Sequence, residues 1–101
     1  MKPSEFVAAV ADELKTNGWI QGHMRNDQGS CVMGAMTSVA FNNLEGGVRH
    51  GACRSAHDHM AEKLTRLGYL SIPAWNDFPF RTFGEVQDFL YECQIGLKET
   101  E

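Results

Sequence analysis

Cys31 is the residue whose type and position could do the most chemistry. It stands just after Ser30 at the expected start of a helix. The positive end of the helix dipole lowers a thiol pKa there, which is how many nucleophilic cysteines are activated. His57 or His59 could serve as the base, with Asp77 or Asn76 to orient the ring. Such a site would suit a cysteine-dependent hydrolase or transferase acting on an amide or thioester. The plainer role for Cys31 is a small apolar residue packed beneath Trp19 or Trp75, with Gly34 one turn later allowing close helix approach. Free cysteine is among the most buried residue types, and nothing in the spacing requires either histidine to meet Cys31. No catalytic set is therefore favoured over packing.

His50, Cys53 and His57 fall at i, i+3 and i+7 on one helical face. Cys53 and His57 could share a zinc ion, but Cys31 or His23 would have to complete four ligands. The paired short Cys-x-x-Cys spacings of strong zinc signatures are missing, so neither a metal nor a cofactor is expected.

Trp19, Gln21, Trp75, Asn76 and Asp77 form a third set, split between two segments. Asn and Gln amides carry both donors and acceptors and can satisfy backbone groups left open at helix ends. On that basis Gln21 and Asn76 would fasten two irregular connections to the helix starting near Cys31, and Asp77 would cap a turn or pair with Arg81. The functional alternative is a ligand pocket in which the two indoles stack on a base or sugar. Phe78, Phe80 and Phe83 flank Pro79, more aromatic surface than a solvent-facing connection needs. Any of the three left exposed, near Tyr69 or Ile72, would make a protein-binding patch; otherwise they plug the open end of the core. Met24, Met33, Met36 and Met60 could line an adaptable groove, though the helical spacing of the last three suits a core.

The elements that must position these residues are helices. Phe6, Val7, Val10, Ala11 and Leu14 recur at three- and four-residue steps over 4–17, with Ser4 as cap and Gly18 as stop. Residues 23–30 are polar and turn-rich and read as a loop. A second helix over about 31–42, capped by Ser30, carries Val32, Ala35, Met36, Val39 and Ala40 on one face. After a loop over Asn42–Gly47, a third helix over about 51–67 buries Ala52, Cys53, Ala56, Met60, Leu64 and Leu67, with Glu62 and Arg66 paired on the wet side. Gly68 ends it, and Tyr69–Pro73 reads as extended. Thr82 and Glu85 make a capping box for a fourth helix carrying Val86, Phe89, Leu90, Cys93 and Leu97.

Four amphipathic helices joined by long connections predict one all-α domain over residues 1–101, an irregular orthogonal bundle. The formal net charge of −4 opposes non-specific nucleic-acid binding, which needs clustered Lys and Arg. No run approaches the ~18 apolar residues that span a bilayer. The N-terminus has no signal-peptide pattern, so a cytoplasmic setting with reduced thiols is expected.

Four motifs occur in order: Gly18-Trp19-x-Gln21-Gly22, Cys31-x-x-Gly34-Ala35, Trp75-Asn76-Asp77 and Thr82-x-x-Glu85-Val86. Together they resemble a family of small uncharacterised proteins of actinobacteria and their phages. The resemblance implies a similar helical domain in a bacterial or phage-infected host cytoplasm, and no activity. The expectation drawn from all of this is a non-enzymatic binding protein. Its partner would be another protein or a second copy of itself, with the Cys31 enzyme as the alternative.

Overall fold

The computed structural model of the chain describes residues 1–42 and 48–101, with the side chains of 48–50 left aside. The loop expected at Asn42–Gly47 (apart from Asn42) and the side chain of His50 lie outside the described residues.

α1 (Pro3–Asn17) begins with proline in its first turn, where the missing N–H costs nothing, and Glu5 reaches back to the Lys2 amide at 2.7 Å. It stops at Gly18, whose φ of 101° an L side chain rarely adopts. Ser4 is not the cap expected from the sequence. It is buried, and its amide and hydroxyl both donate to the carboxylate of Glu101, at 2.9 and 2.8 Å.

Residues 23–30 contain more order than their polarity suggests. β1 (Arg25–Asn26) and β2 (Gly29–Ser30) pair antiparallel, Arg25 opposite Ser30, around an Asp27–Gln28 turn. Asn26 Oδ1 accepts from the Gln28 amide at 2.8 Å and closes that turn.

α2 (Val32–Asn42) is entered through Cys31, not Ser30: the Cys31 carbonyl accepts from Ala35, and its sulfur accepts from the Gly34 amide at 3.3 Å. α3 (Val48–Arg66) starts three residues earlier than the pattern predicts. Gly68, at φ 96°, turns the chain so that the Tyr69 amide reaches the Leu64 carbonyl. Leu67 therefore falls outside the helix and is exposed, contrary to its assignment to the buried stripe. The segment expected to be irregular holds a short helix, α4 (Ile72–Asn76), whose first turn is capped by Ser71 Oγ accepting from Ala74 at 3.1 Å. α5 (Phe83–Glu99) starts at the Thr82–Glu85 box, with the Thr82 amide 2.8 Å from Glu85 and the Glu85 amide 3.2 Å from Thr82 Oγ1.

The five described helices make a predominantly α-helical domain with only a minimal two-stranded ribbon. α1 occupies the middle and packs against α5, α2 and α3. Its stripe of Phe6, Val7, Val10 and Leu14 meets Val32, Ala35, Met36, Ala56, Met60, Leu64, Val86, Leu90 and Cys93 in one continuous core. No helix among the described residues is long and apolar enough to cross a membrane.

Candidate functional site

The two Trp-containing segments meet at Asn76, the last residue of α4, which is 0% exposed. Its Oδ1 accepts from the indole N–H of Trp19 at 2.8 Å and from the amide of Val32 at 3.0 Å, the first residue of α2. Its Nδ2 donates to the Ile20 carbonyl at 3.1 Å and to Asp77 Oδ1 at 2.9 Å. All four capacities of the amide are used, two of them on backbone groups that a helix start and a connection would otherwise leave open. Gln21 adds a second clasp, donating from Nε2 to the carbonyls of Asn76 and Phe78, each at 3.0 Å. Asp77 accepts from the Gly22 amide at 2.9 Å and does not pair with Arg81.

Close backbone approach completes the junction. The Cys31 amide donates to the Met24 carbonyl at 3.1 Å, and a Cβ placed on Gly34 would lie 1.9 Å from that same oxygen. Only glycine fits there, since any side chain would have to push the hairpin off α2.

The indole faces are occupied by protein. Trp19 stacks with Phe83, ring centres 6.2 Å apart and planes 13° off parallel. Trp75 is buried against Phe89, 4.6 Å between centres. The Arg81 guanidinium lies 4.4 Å from the Trp75 ring and 5.5 Å from those of Tyr69 and Phe78. Arg81 also donates to the Trp75 carbonyl at 3.0 Å and the Tyr69 hydroxyl at 3.1 Å, and its charge is met by Glu85 at 3.4 Å. Hydrogen bonding to the Thr82 amide, assisted by Arg81, holds the Glu85 carboxyl below its usual range. The sequence offered no signal for this cation among three rings beyond the crowding of aromatics around position 81.

Cys31 is 5% exposed, and its sulfur is engaged by the Gly34 amide and by the Met24 thioether, 3.9 Å away. Neither candidate base is among these partners. His57 pairs with its neighbour Asp58 at 3.3 Å, and His59 packs its ring against Gly96 of α5 with Nε2 buried and unbonded. Asp77 is engaged at the Asn76 junction. The structure therefore does not assemble Cys31, a histidine and Asp77 into one hydrogen-bonded set. Cys93 lies deep in the core, where burial pushes its thiol up to about 12. No group of three or more potential metal ligands comes together among the described residues. Cys53 and His57 instead line a cleft of about 540 Å³ between α2 and α3, floored by Met33, Met36, Ala40 and Phe41.

The three phenylalanines after the junction separate. Phe83 is half-buried on Trp19, Phe78 is exposed while meeting Tyr69 edge-on at 5.6 Å, and Phe80 is 96% exposed. Phe80 is also the one non-glycine residue with positive φ, 67°, among the described residues. Leu70, beside Tyr69, is 95% exposed. The positive angle at Phe80 belongs to a turn over Phe78–Arg81, closed by the Arg81 amide donating to the Phe78 carbonyl at 3.0 Å, with Pro79 second and Phe80 third, the position where such a turn takes a positive φ.

The model of a family of unknown function, DUF6197, matches residues 1–94. No curated protein and no solved structure matches the chain.

Proposed function

The chain belongs to the DUF6197 family, and we propose that it works as a binding protein whose contact element is the Phe78–Phe80 knuckle between α4 and α5. Phe80 carries this reading, with its ring in solvent and its backbone at φ 67°. Strain of this kind costs of order 1–3 kcal/mol and persists only where the surroundings over-determine it. The turn supplies that constraint: the Arg81 amide donates to the Phe78 carbonyl at 3.0 Å across Pro79 and Phe80, and Gln21 donates to the same carbonyl. A pre-shaped aromatic anchor loses little entropy on binding, which is why aromatics dominate binding hot spots. Leu70 and Phe78 extend the apolar surface beside it. The partner in this proposal is a protein, and the bacterial or phage-host cytoplasm is its setting, on the strength of the ordered motif pattern. A cysteine enzyme is the less favoured reading, because the Cys31 sulfur is buried and its contacts include no base.

The test is a photoreactive phenylalanine analogue at position 80, compared with the same probe at the exposed polar position 87. Irradiation in extract of the native host is expected to give discrete, reproducible adducts from position 80 alone. Equal or absent crosslinking at both positions would remove the knuckle as contact element.

A further inference from the structure

We propose that Cys53 is an acyl-acceptor site: its thiol, served by His57 and Asp58 at the wall of the α2–α3 cleft, takes an acyl group from a thioester. The proposal is independent of the knuckle. Cys53, His57 and Asp58 all line the cleft. Cys53 is half-buried and in no disulfide, so it borders both the core and the cleft. His57 follows one turn later on the same helix face, a spacing that sets Cβ atoms roughly 5–6 Å apart. Helical side chains lean toward the N-terminus, which tips the His57 ring back over the turn that carries Cys53. Asp58 Oδ1 lies 3.3 Å from His57 Nδ1. A proton on Nδ1 serves that carboxylate and leaves the Nε2 lone pair as the base. The thiol, imidazole and carboxylate that the structure does not bring together at Cys31 thus share one helix at Cys53.

The surroundings select the substrate. Cys53 lies beyond the first turn of α3, so the backbone amides around it are committed to helical hydrogen bonds. They offer no oxyanion hole, and an amide, with its poor leaving group, is out of reach. A thioester needs less help, because its carbonyl is activated and its leaving group is a thiol like the attacker. Met33, Met36, Ala40 and Phe41 floor a cleft of about 540 Å³, which suits an aliphatic acyl chain. The charged residues on the lining, Arg54 and Asp58, belong to the α3 wall and leave that floor apolar. In the transfer, His57 Nε2 takes the Cys53 proton and the thiolate attacks the thioester carbonyl carbon. A new S–C bond forms as the old one breaks, and the departing thiolate takes the proton from His57. The products are S-acyl Cys53 and a thiol; no oxidant, reductant or water is consumed.

Intact-mass spectrometry of the purified protein with octanoyl-coenzyme A near neutral pH tests this, with coenzyme A release followed in parallel. One octanoyl group per chain is expected, mapped to Cys53, with one thiol released for each. Its rate should exceed roughly ten-fold that of the same thiol in the chain unfolded by urea. Acetyl-coenzyme A should react several-fold more slowly, since its acyl group is too short to lie along the apolar floor. His57→Gln should lower the rate roughly ten-fold or more near neutrality and regain most of it above about pH 9, where a thiol ionises unaided. A merely structural role for His57 would leave a deficit at every pH. Asp58 positions the ring, so Asp58→Asn should cost several-fold with the same pH pattern, and Asp58→Glu should restore part of the rate. The proposal is overturned by a Cys53 that reacts no faster folded than unfolded, by modification mapped elsewhere, or by His57→Gln matching wild type or lagging equally at every pH. Octanoyl and acetyl transfer at equal rates would overturn the assignment of an acyl chain to the cleft.

Discussion

Asn76 and Phe80 stand four residues apart and obey opposite rules. Asn76 is fully enclosed, in a conventional helical position, with every hydrogen-bonding capacity used. Phe80 is almost wholly in water, with a backbone angle that phenylalanine disfavours. The first violates the rule that polar groups face water and is compensated by four bonds. The second violates the rule that large apolar groups leave water, and nothing within the fold compensates it. The difference teaches where to look for function: a broken rule that is repaid locally holds the structure, and one that is not repaid points outward.

The largest expected effect comes from breaking the enclosed side. Asn76→Ala strips partners from the Trp19 indole, the Val32 amide and the Ile20 carbonyl together. It should cost about 3 kcal/mol or more, and lower the melting temperature by more than about 10 °C. Gly34→Ala should come next, at about 2–3 kcal/mol, because the added carbon meets the Met24 carbonyl and not a yielding side chain. Chemical denaturation would read both, as shifts in midpoint at unchanged slope.

The exposed side should respond differently. Phe80→Gly relieves the positive-φ strain and removes no buried contact, so stability should hold or rise by about 0.5–1 kcal/mol. The same variant should lose binding to the partner captured from position 80. The smallest effect is acid sensitivity. Glu85 and Glu101 both have lowered carboxyl pKa values, first through a backbone hydrogen bond, from Thr82 and Ser4 respectively. A depressed carboxylate stabilises the fold fully above its ordinary value of 4.5 and loses that contribution as pH falls through the lowered value. Melting should therefore be flat in these two terms near neutrality and decline below that value. Glu85→Gln and Glu101→Gln should each flatten the decline.

The helices were readable because their faces repeat: Val86, Phe89, Leu90, Cys93 and Leu97 are all buried as the spacing requires, and Thr82 with Glu85 marks the start of α5. The two halves of the Asn76 junction could be picked out as indoles and amides beside helix ends. Which atoms meet could not, since Trp19 and Asn76 are joined across 57 positions. The pieces that escaped are short or long-range. α4 is a five-residue helix too brief for a periodic signal, and the hairpin is polar on both strands. Ser4 was diverted from capping by Glu101, 97 positions away. Phe78, Phe80 and Phe83 look alike in sequence; their separation into one stacked and two exposed rings is decided by Trp19 and Arg81, from opposite sides of the connection.

Whether the knuckle is held or merely loose is the point on which the account turns. Backbone ¹⁵N relaxation over residues 77–82, with the amide–Hα coupling of Phe80, decides it. A pre-shaped anchor predicts order parameters near the rigid value of about 0.85 and a coupling that reports positive φ at Phe80. Order parameters below about 0.6, with an averaged coupling, would show a flexible loop whose aromatic is exposed by accident, and would contradict the account.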